Sequence, residues 1–222
     1  MGLILNIETA STVCSVALAK NGRVVDMRED RQVNSHAKVV TVLTDDLIKA
    51  SNLDYAALDA IAVSEGPGSY TGLRIGASVA KGLGYALNKP VITVPTLQAL
   101  AWGIRQKAGS AAHYFMPVLD ARRMDVYTAV YDAELVEQLP VCCVTVNENL
   151  KQELARFDKL FIGGQGMAKC RDFFGNSFNY VEEMECHAQW MAEIAERKFL
   201  NGQFADLAYF EPLYLKGFPA KQ

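Results

Sequence analysis

Three acidic residues each close an apolar run: Ile7-Glu8, Val63-Ser64-Glu65 and Leu119-Asp120. Carboxylates at strand ends can gather into an acidic cleft that holds a cation, or stand singly in solvent; the spacing leaves both open. Beside the second lies the densest turn chemistry in the chain, Gly66-Pro67-Gly68-Ser69-Tyr70-Thr71-Gly72. Proline fixes φ and glycine admits positive φ, so this segment turns tightly. A strand, a glycine loop and a helix start also make an anion site, because unpaired N–H groups at a helix N-terminus attract negative charge. No Gly-Lys-Ser/Thr follows, Gly-x-Gly-x-x-Gly is not matched, and Pro67 removes a donor. The structural turn is therefore the preferred reading. Ser69 and Thr71 have no histidine close in sequence and no Gly-x-Ser-x-Gly around them, which makes them helix caps rather than nucleophiles.

The elements that position these residues read from hydrophobic period and turn signals. Leu3–Ile7 is a buried strand, and Val13–Ala19 and Val24–Arg28 form a hairpin across Asn21-Gly22. His36–Ala50 has helical period. Ala60–Val63 is a strand, and a helix runs from the glycine turn to about Leu87. Val91–Val94 and a helix over Thr96–Gln106 follow. After the small, polar connection Lys107–His113 the pattern restarts. Tyr114–Leu119, Val126–Tyr131 and Val141–Val146 are strands, with helix at about Asn147–Phe157. Then come the strand Lys159–Ile162, the glycines Gly163, Gly164 and Gly166, a short helix, a strand near Phe178–Val181 and a helix over His187–Leu200. The expectation is an α/β protein of two duplicated βββαβα lobes, residues 1–107 and 108–222, the terminal segment packing back on the first lobe.

The glycine turn opens a helix carrying Gly72, Gly76, Ala80 and Gly84, one small residue every fourth position and so one smooth ridge. Each glycine costs roughly 1 kcal/mol against alanine in a helix interior. Close approach of another backbone accounts for the ridge: an element of this chain, or a helix of another protein.

Composition bounds the rest. Of 222 residues half are hydrophobic, enough for a core, and the net charge is −3 with mixed signs. No basic run supports strong autonomous binding to nucleic acid. Five cysteines without Cys-x-x-Cys suit reduced thiols. No basic leader and no membrane-length apolar stretch stand out, so a soluble cytoplasmic protein is expected.

Two lobes, each with an acidic residue on its first hairpin, resemble the actin, hexokinase and sugar-kinase (ASKHA) class. Within it the chain resembles the TsaB (YeaZ) family, through Leu3-Ile4-Leu5-Asn6-Ile7-Glu8-Thr9-Ala10, Gly66-Pro67-Gly68-Ser69-Tyr70-Thr71-Gly72-Leu73-Arg74, Leu119-Asp120-Ala121-Arg122-Arg123-Met124 and Pro212-Leu213-Tyr214-Leu215. The resemblance implies a role in making threonylcarbamoyladenosine beside the anticodon of tRNAs that read ANN codons. It implies a non-catalytic subunit that pairs with and activates the TsaD transferase through two N-lobe helices, with the ATPase TsaE. It allows a homodimer and brings tRNA in through the complex. The partner face is then expected at His36, Val40, Gly72, Gly76, Ala80 and Gly84.

A degenerate nucleotide cleft is expected at Glu8, Thr9, Asp120, Gly163 and Gly164, because Phe161–Gly166 resembles the adenosine-holding strand of the class. Glu8 stands where the family usually has aspartate, and Thr9-Ala10-Ser11 replace the glycines that admit phosphate. The metal-binding His-x-x-x-His pair of the catalytic paralogue is half present, since Val40 follows His36 by four. No catalytic residue, metal or cofactor is assigned to this chain, and ATP/ADP and a divalent metal are expected in the partner subunits. The rival reading is an autonomous kinase-like ATP-binding enzyme or an M22-type metallopeptidase. Arg122 and Arg123 contact tRNA phosphates or an acidic neighbour, or, as is commoner for two arginines on a turn, stand in solvent.

Overall fold

The computed structural model of the chain describes residues 2–32 and 35–215. It divides into two compact units, Met1–Ala99 with Cys186–Leu213, and Leu100–Glu185 with Tyr214–Gln222. In the first, β1 (Leu3–Glu8) is central. It pairs antiparallel with β2 (Cys14–Lys20), which pairs antiparallel with β3 (Arg23–Asp30). On its other side it pairs parallel with β4 (Ala60–Gly66), and β4 pairs parallel with β5 (Val91–Pro95). The order is β3-β2-β1-β4-β5. The Asn21-Gly22 turn between β2 and β3 takes positive φ at both residues, as the twist of a tight hairpin demands.

Alternation sorts the side chains. Leu5, Ile7, Val16, Leu18, Ile61 and Val63 join one core with Val40, Leu47 and Ile48 of α1 (His36–Ala50) and Ala80 of α2 (Tyr70–Leu87). The other face carries smaller residues. There the Ala188 amide donates to the Ser15 hydroxyl at 2.9 Å, and α6 (Ala192–Leu200) lies against β1 and β5.

The second unit repeats the plan. β6 (Tyr114–Asp120) is central, with β7 (Asp125–Tyr131) and β8 (Glu137–Thr145) antiparallel on one side and β9 (Leu160–Gly163) and β10 (Asn179–Val181) parallel on the other. The order β10-β9-β6-β7-β8 is the first sheet read backwards, so the two units share one topology. α4 (Glu148–Leu154) and α5 (Met167–Phe174) contribute to its core.

Of the boundaries that differ from the sequence reading, three bear on the layout, and the helix expected over His187–Leu200 begins as a 3-10 turn, Ala188–Met191, before α6. β8 begins four residues before Val141 and includes Pro140, which the sheet edge tolerates because an edge strand can spare a donor. The helix expected over Asn147–Phe157 stops at Leu154. The division between units falls inside α3 (Thr96–Ala108) rather than after residue 107.

Cys186–Leu213 belongs to the first unit. The buried face of α6 carries Ile194 and Ala195, and Lys198 Nζ donates to the Thr93 carbonyl at 2.7 Å. Beyond α6 the chain runs on as a strap. The Ala205 amide donates to the Val91 carbonyl at 2.8 Å and the Leu213 amide to the Glu65 carbonyl at 2.7 Å. Ala205, Leu207 and Phe210 pack against the first unit's core.

Candidate functional site

The turn from β1 to β2 is seated on the first half of α2. Glu8 is fully buried, and its Oε1 accepts from the Ala10 amide at 2.6 Å. Its Oε2 has no hydrogen-bond partner. Burial pushes the carboxyl up to about 7; the Ala10 amide, the nearby Ser64 hydroxyl and the Thr9 amide offset part of the desolvation.

The glycines of α2 and its approach are explained here. A Cβ on Gly72 would lie 2.0 Å from the Thr9 carbonyl oxygen, one on Gly76 2.3 Å from Thr9 Oγ1, and one on Gly68 2.5 Å from the Ala10 carbonyl oxygen. The Ser69 amide donates to the Ala10 carbonyl at 2.7 Å, and Ser69 Oγ accepts from the Gly72 amide at 3.3 Å. Donors at the helix start that could meet a phosphate thus already serve the chain's own turn.

The six residues expected on a partner face are turned inward. Gly72 and Gly76 admit the β1–β2 turn, and Ala80 lies in the core. Gly84 faces Val91 and Leu207. Val40 is a core residue of α1, and His36 is buried with Nε2 3.0 Å from the Ser11 carbonyl oxygen. The ridge is therefore the intrachain alternative, a helix laid tightly on its own sheet. What α1 and α2 leave to solvent is a different set: Val42, 54% exposed, Tyr85, 83% exposed, and Arg74, whose guanidinium stacks 4.3 Å over the Tyr70 ring. Sequence reasoning passed over these because small residues at one face signal closeness without saying to what. A tyrosine on the polar side of an amphipathic helix was the available signal.

In the second unit Asp120 repeats the Glu8 geometry. Its Oδ1 accepts from the Arg122 amide at 2.6 Å, two residues on, as Glu8 accepts from Ala10. Unlike Glu8 it is about half exposed, and Lys169 pairs with it at 3.0 Å. Gly164 has φ +122, and a Cβ there would meet the Val118 carbonyl oxygen at 2.3 Å. Gly163 is enclosed by Ile104 and Met184. Gly164 thus serves a tight turn against β6, and Gly163, the last residue of β9, makes room for those two side chains. Of the five residues expected to line a cleft, Glu8 and Thr9 belong to the first unit and Asp120, Gly163 and Gly164 to the second.

Among the described residues no three His, Cys, Asp or Glu side chains form a group that could hold a metal ion. All five cysteines are free thiols, and burial pushes Cys14 and Cys170 up to about 12. Among the described residues no helix is long and apolar enough to cross a membrane.

The family model for TsaD, tRNA N6-adenosine threonylcarbamoyltransferase, matches residues 30–198. The tRNA threonylcarbamoyladenosine biosynthesis protein TsaB of Haemophilus influenzae is 28% identical, over 96% of this chain and 93% of its own. A Pseudomonas aeruginosa crystal structure, described as an uncharacterized protein with similarity to peptidase YEAZ, superposes with a TM-score of 0.85 at 26% identity, covering 97% of this chain and all of that one. A dehydratase activator from Clostridium difficile, solved with bound ADPNP, has a TM-score of 0.57 at 8% identity, covering 91% of this chain and 97% of that one. That last likeness is one of fold alone, and with the repeated topology it makes this the expected two-lobe actin- and hexokinase-like α/β fold.

Proposed function

The chain belongs to the tRNA N6-adenosine threonylcarbamoyltransferase family and, within it, to the TsaB (YeaZ) branch, and we propose that it serves the synthesis of threonylcarbamoyladenosine in tRNA as a non-catalytic subunit. In this reading it holds and activates a TsaD-like paralogue in the cytoplasm, a TsaE-like ATPase joins the pair, and tRNA reading ANN codons reaches it through the complex. ATP/ADP and a divalent metal belong to those partners. A homodimer through the same helices is an alternative association of the free protein.

One observation carries the non-catalytic part: the β1–β2 turn is closed onto Gly68, Gly72 and Gly76, so that the start of α2 is filled by the chain itself. A phosphate cannot share that space without displacing Thr9 and Ala10. The partner face moves to the exposed sides of α1 and α2. Large exposed aromatics are the usual anchors of interfaces.

The test is co-purification with the TsaD-like paralogue of the same organism, beside nucleoside analysis of tRNA in cells that depend on this chain. Val42→Glu with Tyr85→Glu should leave the melting temperature unchanged, weaken pairing by roughly tenfold or more and lower the modified nucleoside. Failure of the wild-type chain to pair rejects the reading. So does ATP or peptide hydrolysis by the isolated protein that disappears in Glu8→Ala or Asp120→Ala.

A further inference from the structure

We infer that a cavity of about 590 Å³ in the second unit, at the starts of β9 and β10, is a contact site for the phosphate backbone of a looped or single-stranded RNA segment. The inference rests on the tRNA reading above and places a direct RNA contact on this chain. The volume lies in the range of ordinary ligand pockets. Lys151, Arg156 and Lys159 line it, against one carboxylate, Asp158. That local excess of positive charge stands in a chain whose net charge is −3. Among the described residues none of the three cations has an ion-pair partner.

Two aromatic rings share the lining. Phe157 and Phe178 are half-buried and fixed against the core. The Arg156 guanidinium lies 4.8 Å over the Phe157 ring, and Tyr114 holds that ring edge-on at 5.0 Å. A flat cation held on an aromatic face is a platform on which a base stacks, and cations around it meet the flanking phosphates. An anionic membrane supplies charge but no flat π-face for that platform.

Lys159 offers a substitution that separates charge from backbone. Its φ is +53, in the left-handed region where asparagine and glycine are the comfortable residues. Asn21, Asn52 and Asn88 fill such positions in the first unit, and Arg122, Arg123, Leu135 and Glu183 share the conformation in the second. What Lys159 brings to the lining is its charge. The simpler role for Lys151 and Arg156 is to sit near the C-terminal end of α4 and meet its partial negative charge. That role predicts lost stability when they are removed, and the RNA site predicts lost binding.

The experiment titrates the full chain against a labelled anticodon stem–loop transcript by fluorescence anisotropy, over a series of KCl concentrations. Wild type should bind weakly, in the micromolar range at low salt. The triple variant Lys151→Ser, Arg156→Ser, Lys159→Asn should bind at least about tenfold more weakly. Its slope of log affinity on log salt should be shallower by about 2, the expectation for three lost phosphate contacts to a single strand. Lys159→Asn alone should weaken binding with an unchanged or raised melting temperature. AMP at equal base concentration and anionic phosphatidylglycerol vesicles should bind no better than to the triple variant.

An unchanged affinity and slope in the triple variant overturns the site, as does wild-type affinity too weak to measure. Loss of AMP or vesicle binding in place of RNA binding overturns the assignment to RNA. Rescue of modified tRNA in cells separates the two readings. If the wild-type chain fails to rescue, the subunit role fails while the titration still decides the site.

Discussion

Glu8 is the residue whose chemistry departs furthest from its type. It is sealed from water, one oxygen serves the Ala10 amide, and the other has no partner. The sign of its effect on stability follows from a folded-state value near 7 against an ordinary 4.5. Below pH 4.5 both folded and unfolded chains are protonated, and the buried neutral acid carries no penalty. Between 4.5 and 7 the unfolded chain releases the proton while the folded one keeps it, so stability falls as pH rises and levels off above 7. A shift of this size corresponds to about 3 kcal/mol. Glu8→Gln cannot lose a proton. Urea titrations of both proteins at pH 5 and pH 8 should show the wild type losing most of that amount, about 2.5 kcal/mol, relative to the variant. Parallel curves at both pH values would refute the buried-acid account. The sequence showed a carboxyl at the end of β1. It did not show that this carboxyl faces the interior, because strand-end residues are buried or exposed according to the turn that follows, and that turn folds over α2.

At the scale of the element, α2 shows what periodicity can and cannot say. The four-residue spacing of Gly72, Gly76, Ala80 and Gly84 was legible as a close-approach face, and it is one. The identity of the approaching element was not, because a sheet turn and a partner helix ask the same of the ridge. The helix itself, capped by Ser69 and ended by Asn88 in the left-handed conformation, follows its local signals. Two glycines of this helix should respond oppositely to one substitution. Gly72→Ala puts a methyl into the Thr9 carbonyl and should destabilise by about 1–3 kcal/mol, as overpacking does. Gly82 has nothing within 4 Å of its added Cβ and is exposed, so Gly82→Ala should stabilise by roughly 1 kcal/mol. Thermal melts of the two variants decide it, and equal shifts would sink the packing account.

For the whole molecule, the repeated strand order was legible because each lobe opens with a strand, an acidic residue and a returning strand. The allotment of the segment Cys186–Leu213 was less so. Helix periodicity over His187–Leu200 says that one face is buried without saying on which sheet, and the strap beyond it has no period. Its contribution is testable. Gly66 has φ +113, and a Cβ there would lie 2.6 Å from the Leu213 carbonyl oxygen. Leu207 rests against Gly84, and Lys81 lies 5.5 Å from the Phe210 ring centroid. Ending the chain after Asn201 should uncover this surface and cost the first unit about 2 kcal/mol or more, since Leu207 and Phe210 each lose part of their burial. Hydrogen exchange should then quicken in β5 and α2 and stay unchanged in β7 and β8. Uniform quickening, or none, would contradict the division into units.

The same strap sets an order of events during synthesis. The first unit is discontinuous: its sheet strands are translated early, but Cys186–Leu213 follows only after Leu100–Glu185. Most of the second unit, Leu100–Glu185, is continuous and leaves the ribosome before them. At about 5–20 residues per second the nascent first sheet waits on the order of ten seconds for the segment that covers its small-residue face. During that interval an apolar surface is open to chaperones, and to a second nascent copy emerging from the same message. The half of the protein begun first is completed only after most of the other half has been made.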